Sequence, residues 1–110
     1  MRVIAFDRFR PGVTMETIQP LLAEEVANVW NLWKGGIVRE NYARADEPGV
    51  VIVFEVEDVA QARALVAEFP MTKAGYLEWF FVPLMAPVML ESQFSEAALE
   101  CTSRSAGATG

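Results

Sequence analysis

Apolar and polar positions are distributed differently in two neighbouring segments near the middle of the chain. Residues 50–54 (Val-Val-Ile-Val-Phe) are apolar without interruption, whereas residues 37–44 before them carry several charges. Continuous apolar character predicts a strand covered on both faces, and the two segments together predict a β-hairpin turning through residues 45–49. Helices from the same chain can cover one face of such a small sheet. We therefore expect a second copy of the chain to cover the other face.

The remaining pattern predicts two helices and two further strands. Thr14 is the expected N-cap of the first helix and Asp58 that of the second. Pro20 is expected to kink the first helix or to move its start to about Ile18. In chain order, the predicted elements are a strand over residues 2–9, a helix over 15–33, the hairpin over 36–56, a helix from 59 to about 69 and a strand over 75–82.

This order of elements is βαββαβ, the ferredoxin-like arrangement of the α+β class. It predicts a four-stranded antiparallel sheet with two helices on one face. Right-handed crossovers place the first and third strands at the centre of the sheet and the second and fourth at its edges. We assign residues 1–91 to this domain. From Ser92 onward the composition shifts toward small polar residues, and residues 92–110 are expected to form a flexible C-terminal tail.

Composition and charge narrow the classes of partner. The chain has 110 residues, 53% of them hydrophobic, with three Trp and seven Phe, so it has apolar surface to spare for an interface or a small hydrophobic or aromatic ligand. A formal net charge of −6 repels a phosphate backbone, so nucleic acid is not an expected partner. No run of residues resembles an export signal or a membrane span. We therefore expect a cytoplasmic protein with no membrane partner.

The residue types present also limit the chemistry. The chain has no His, and its one Cys, Cys101, lies in the predicted tail. A metal site and a nucleophilic cysteine are therefore poorly supported, and no glycine-rich loop precedes a helix to bind phosphate. We expect no cofactor. Proton transfer near neutral pH then depends on a carboxylate, a tyrosine, a lysine or water.

Glu25 is the strongest candidate for that role. At about 100° per residue, it lies within the apolar arc of the first helix, whereas Glu24 points well away. Burial there raises a carboxyl pKa and makes the group a usable base or acid near pH 7. The alternative is that Glu25 lies at the edge of the arc and reaches water or an arginine.

Arg39 is the expected counter-group, on the first hairpin strand. Regular alternation places its side chain on one face with Asn41, where a guanidinium can bind a carboxylate or enolate oxygen. A structural ion pair with Glu55 across the hairpin is the alternative. A bulge in this edge strand would bring Tyr42 to the face of Arg39, which leaves the strand register open by one residue.

Aromatic side chains provide candidate walls for a pocket. Trp30 and Trp33 are three residues apart on the first helix, and Tyr76 begins an aromatic last strand. Ordinary core packing explains the same residues. Asp7, near the end of the first strand, is either a further acid or an acceptor that anchors a loop.

The chain resembles the dimeric α+β barrel superfamily and, within it, the muconolactone isomerase-like branch. The resemblance spans residues 2–84 and rests on residues 25–39, on Glu55 with the second helix, on Phe69-Pro70-Met71 with Gly75, and on residues 82–84 (Val-Pro-Leu). It implies a homodimer whose sheets pair into a barrel, a pocket between helices and sheet, no cofactor, and a catalytic carboxylate at Glu25. The chain lacks the branch's Leu-Trp-Arg sequence, carrying Arg39-Glu-Asn-Tyr42 instead, and it lacks the histidine-containing end.

Three functions follow as expectations. The first is a cofactor-independent isomerase or cyclase that moves a proton on a small lactone, carbonyl or aromatic polyketide-type substrate, with Glu25 as base and Arg39 stabilising the oxyanion. The second is a cofactor-free monooxygenase whose aromatic substrate is held by Trp30, Trp33 and Tyr42. The third is a non-enzymatic ligand-binding or dimerisation module, whose pocket is filled by its own side chains.

Overall fold

A computed structural model describes residues 1–87, and the predicted tail lies outside them. The elements are β1 (Arg2–Phe9), α1 (Met15–Ile18), a 3-10 turn (Gln19–Leu21), α2 (Leu22–Lys34), β2 (Val38–Ala43), β3 (Val50–Glu55), α3 (Val59–Ala67), α4 (Pro70–Lys73) and β4 (Leu77–Pro83). The four strands form one antiparallel sheet in the order β2-β3-β1-β4. The predicted ferredoxin-like fold is confirmed, with β1 and β3 at the centre.

The helix starts follow the capping residues of the sequence. Thr14 accepts a hydrogen bond from the Thr17 amide and forms a reciprocal capping box with it. Asp58 accepts from the Gln61 amide at 2.8 Å in the same way. Pro20 lies in the 3-10 turn, so the predicted interruption divides the first helix into α1 and α2.

The second half of the chain departs from the predicted boundaries. The second helix was expected to continue to about residue 69, but α3 ends at Ala67. The residue before a proline is biased away from helical geometry, and Phe69 is extended with φ −65° and ψ 136°. Pro70 then starts the short helix α4, which the sequence pattern did not predict, and β4 begins at Leu77 instead of residue 75.

The core lies between the helices and one face of the sheet. Val3, Ala5, Ile52 and Phe54 on the central strands are completely buried, and they form one cluster with residues of the helical layer that include Ala62, Val66 and Phe69. The other face of the sheet, here called the outer face, carries Ile4, Phe6, Val51, Val53, Phe80 and Val82. Among the described residues, no helix has the length and apolar character needed to cross a lipid bilayer.

Candidate functional site

A cavity of about 680 Å³ lies between α2 and the helix-facing side of the sheet. Its walls are mainly apolar and include Phe9, Ile18, Leu22, Val29, Ile52 and Phe69. Two acidic side chains, Glu25 and Asp7, reach the cavity from opposite layers, one from α2 and one from β1. The size and composition are those of a site for a small organic molecule.

Glu25 lies on the buried side of α2, as its position in the apolar arc predicted, with 9% of its surface exposed. Its Oε1 accepts a hydrogen bond of 3.3 Å from the main-chain N–H of Met71. This N–H lies in the first turn of α4 and has no acceptor within that helix. Desolvation by burial raises the pKa of Glu25 to about 6; the Met71 hydrogen bond opposes the increase, and the charge of Asp7 adds to it.

Asp7 is more deeply buried than Glu25, with 2% of its surface exposed. Its Oδ1 accepts a hydrogen bond of 2.7 Å from the Val50 amide at the start of β3. Arg44 donates to the main-chain carbonyl of Asp7 at 3.0 Å. Burial raises the pKa of Asp7, against the opposing effects of the Val50 hydrogen bond and the Arg44 charge. Asp7 therefore anchors the hairpin and also faces the cavity.

Gly49 makes the Asp7 contact possible. Its φ is +153°, and a Cβ at this position would lie 2.6 Å from Oδ1 of Asp7 and 2.8 Å from its carbonyl oxygen. Only a residue without a side chain lets the hairpin approach β1 this closely.

The edge strand β2 contains a β-bulge, the alternative that the sequence could not decide. Val38 pairs with Phe54 and Glu40 with Val53, so Arg39 is the additional residue. Strict alternation between Arg39 and Asn41 is therefore wrong, because the buried Val38 occupies the core-facing position instead. Arg39 lines the cavity and is exposed. The alternative ion pair with Glu55 does not form within residues 1–87, where Glu55 contacts the Met1 amino group and Arg2.

Asn41 and Tyr42 also line the cavity from β2. Asn41 pairs with Ile52 and so shares the helix-facing side, whereas Tyr42 pairs with Val51 on the other side. The Tyr42 hydroxyl donates to Oε1 of Glu40 at 2.6 Å, a contact that raises the pKa of Tyr42. Asn41 thus lies on the helix-facing side of the sheet and Tyr42 on the other side, and both are exposed residues of the edge strand.

The aromatic residues divide into three groups. Trp30 and Trp33 line the cavity at its solvent-facing side, about half exposed and packed edge to face with centroids 4.9 Å apart. Trp79 lines the inner part, and its Nε1–H donates to Thr72 at 2.8 Å. Tyr76 does not line the cavity; it packs against a second cluster around Ile18, Met71 and Leu77. The expectation that Tyr76 joins the pocket is thereby corrected.

The sequence reasoning did not identify the part of the site formed by α4. Phe69 and Met71 line the cavity, and Met71 also supplies the hydrogen bond to Glu25. The available signal was the Phe69-Pro70 pair, since a proline favours the first position of a new helix. Within residues 1–87, no three Cys, Asp or Glu side chains are grouped so that they hold a metal ion.

Comparison with solved structures supports the fold. The chain is similar to 5-chloro-2-hydroxyhydroquinone dehydrochlorinase from Burkholderia phenoliruptrix, solved with 2,5-dihydroxybenzoquinone, with a TM-score of 0.66 and 18% identity over 79% of this chain and 96% of the other. An uncharacterized NIPSNAP domain protein from Burkholderia xenovorans gives a TM-score of only 0.43, at 19% identity over 78% of this chain and 96% of the other. No protein-family model matches the sequence, and no curated protein matches it. The first similarity defines this chain as a small α+β protein of ferredoxin-like fold.

Proposed function

We propose that this protein is a cofactor-independent enzyme of the isomerase or cyclase type, which moves a proton on a small oxygenated ring. The observation that carries the proposal is the Glu25 carboxyl, buried in the wall of an apolar cavity with a pKa of about 6. A carboxyl group with that pKa is mostly ionised at pH 7 and is a stronger base than an exposed glutamate.

The contacts of Glu25 indicate how the base would act. The Met71 hydrogen bond fixes Oε1, and within residues 1–87 the carboxyl makes no other hydrogen bond. Oε2 is therefore the oxygen that would accept the substrate proton, either from a hydroxyl group of the ring or from a carbon next to a carbonyl group. Arg39, on the sheet edge of the same cavity, would stabilise the oxygen on which negative charge develops.

The similar dehydrochlorinase structure supports the proposal that a protein of this fold catalyses a reaction of a small molecule. That protein is an enzyme, a dehydrochlorinase of 5-chloro-2-hydroxyhydroquinone. At 18% identity, it supports the class of substrate, a small oxygenated ring, more than the type of reaction. From the muconolactone isomerase-like branch the proposal takes the catalytic carboxylate at Glu25 and not the substrate.

Deuterium exchange tests the function without knowledge of the natural substrate. α-Angelica lactone, cyclohexenone and phloroglucinol are incubated in D₂O with the protein, and proton NMR follows exchange next to the oxygenated carbon and formation of isomers. We expect the wild type to accelerate exchange of at least one probe. Glu25→Gln should reduce this rate by about 100-fold or more.

Glu24→Gln is the matched control, because Glu24 is the exposed neighbour on the same helix. It removes the same charge and should leave the exchange rate unchanged. Equal rates for wild type and Glu25→Gln, or no acceleration by the wild type, would contradict the proposal. An oxygen electrode run on the same samples distinguishes a monooxygenase, which consumes oxygen.

A further inference from the structure

The inner part of the cavity contains two acidic groups whose hydrogen bonds are arranged alike. Oδ1 of Asp7 accepts the Val50 amide, and Oε1 of Glu25 accepts the Met71 amide. Within the described residues, the Glu25 carboxyl has no other hydrogen bond, and the Asp7 carboxyl has only one more, from its own main-chain N–H. Each carboxyl therefore keeps acceptor capacity for a ligand whenever it is ionised.

The nearby cations do not balance this charge. Arg39 is exposed at the sheet edge and is accompanied by the acidic Glu40. Arg44 donates to the Asp7 main-chain carbonyl, and its guanidinium also forms ion pairs with Asp46 at 2.7 Å and Glu47 at 3.3 Å. Among the Lys and Arg residues that the structure describes, Arg39 alone lines the cavity. The cavity is therefore negative at its inner end.

A ligand anion and a ligand hydroxyl group respond to this arrangement in opposite ways. A carboxylate brought close to Asp7 and Glu25 meets like charges in an apolar surrounding, where repulsion is strong. A hydroxyl group donates a charge-assisted hydrogen bond to the same oxygens. Trp30, Trp33 and Trp79 add flat apolar surface on which a ring can stack.

We propose that the cavity binds an uncharged ring bearing hydroxyl groups, donated to Asp7 and Glu25, and that it excludes carboxylates. This inference rests on the proposed function and narrows its substrate class. It separates the protein from enzymes whose substrate is an organic acid. It also assigns to Asp7 a ligand contact in addition to its role as an anchor of the hairpin.

Isothermal titration calorimetry at pH 7 tests the proposal with methyl gallate and with two further probes, each of which differs from methyl gallate in one feature. Methyl gallate is neutral and has hydroxyl donors, gallate adds a carboxylate, and methyl trimethoxybenzoate is neutral without donors. We expect methyl gallate to bind at least about tenfold more tightly than either of the others. Equal or tighter binding of gallate or of the trimethoxy ester, or no binding of methyl gallate, would overturn the proposal.

Two variants locate the source of the discrimination. Glu25→Gln removes one charge from the cavity while keeping an oxygen for the Met71 amide. The ratio of the methyl gallate affinity to the gallate affinity should therefore fall by at least about threefold. Glu24→Gln should keep the wild-type ratio. An unchanged ratio in Glu25→Gln would show that the discrimination does not come from the cavity. Asp7→Asn, verified by thermal melting, should act in the same direction as Glu25→Gln.

The pH dependence provides a measurement on the wild type alone. Lowering the pH from 7 to 5 protonates Glu25, so the ratio of the methyl gallate affinity to the gallate affinity should approach the ratio found for Glu25→Gln. The other ionisable groups near the two acids are Arg39, Glu40, Tyr42 and Arg44. A ratio independent of pH would count against the proposal. Selective binding of methyl gallate without any proton exchange would overturn the proposed function and leave the ligand class supported.

Discussion

The main-chain N–H of Met71 donates a 3.3 Å hydrogen bond to Oε1 of Glu25 and so connects α4 to α2 inside the cavity wall. The two residues are 46 positions apart in the chain. The bond holds the carboxyl in place but does not fully compensate for its burial, since the pKa of Glu25 remains at about 6. A fixed carboxyl group with weak stabilisation of its charge is suited to accept and return a proton.

Glu25→Gln should raise the free energy of unfolding at pH 7 by about 1 kcal/mol. The folded pKa of about 6 lies above the ordinary value of 4.5, so the folded state binds the proton more tightly. Wild-type stability therefore falls as the pH rises from about 4.5 to about 6, and the variant should lack the part of this decrease that Glu25 causes, whereas Asp7, whose pKa is also raised, keeps its own part. Urea unfolding at pH 4 and pH 7 measures both effects. A variant less stable than the wild type at pH 7 would indicate an ionic partner for Glu25.

Gly49→Ala should destabilise the protein by roughly 2 kcal/mol or more. The added Cβ would lie 2.6 Å from Oδ1 of Asp7, and the hairpin must move away from β1 to relieve the clash. Gly35→Ala is the control, since its φ is −77° and its nearest neighbours are at 3.6 and 3.8 Å. Its effect should remain within about 0.5 kcal/mol. Equal melting temperatures for the two variants would show that Gly49 and Asp7 do not pack this closely.

Phe80→Glu should abolish a homodimer that we propose to form through the outer face of the sheet. Phe80 stacks on Phe6 there with centroids 5.2 Å apart, and neighbouring positions carry Ile4 and Val82. A buried charge at this place opposes pairing of two apolar faces. Sedimentation should report twice the chain mass for the wild type and the single mass for the variant.

Ala64→Glu is the control for that experiment, because it adds the same charge at an exposed position of α3. It should leave the dimer intact. A wild type that sediments as a well-folded monomer at micromolar concentration would contradict the proposed pairing.

Trp30→Ala should raise the KM for the active probe several-fold and leave kcat within about twofold. Trp30 is 51% exposed, so it contributes less to the core than to the wall of the cavity. Loss of a stacking surface weakens binding of substrate and transition state alike. Leu84→Ala is a control at an exposed position outside the cavity. A fall in kcat with unchanged KM would assign Trp30 a role in the chemical step.

The sequence pattern was sufficient for the fold and for the burial of Glu25. Capping residues, the proline at position 20 and the apolar run of β3 all act locally, so their effects are visible in the sequence. The bulge at Arg39 was an open alternative that the sequence could not decide, because strand register depends on how distant segments pack. The helix α4 was not predicted, although the Phe69-Pro70 pair was a local signal for it. The hydrogen bond from Met71 and the exclusion of Tyr76 from the cavity are tertiary results, like the strand register.

A carbon-13 NMR titration of the Glu25 side-chain carboxyl shows whether Glu25 is a buried base, and it requires no substrate. The resonance is assigned by its absence from Glu25→Gln, and the protein is titrated from pH 3 to pH 8. The proposed site predicts a midpoint at about 6. A midpoint at 4.5 or below would show that Glu25 is solvated or ion-paired, and it would remove this residue from the proposed proton transfer.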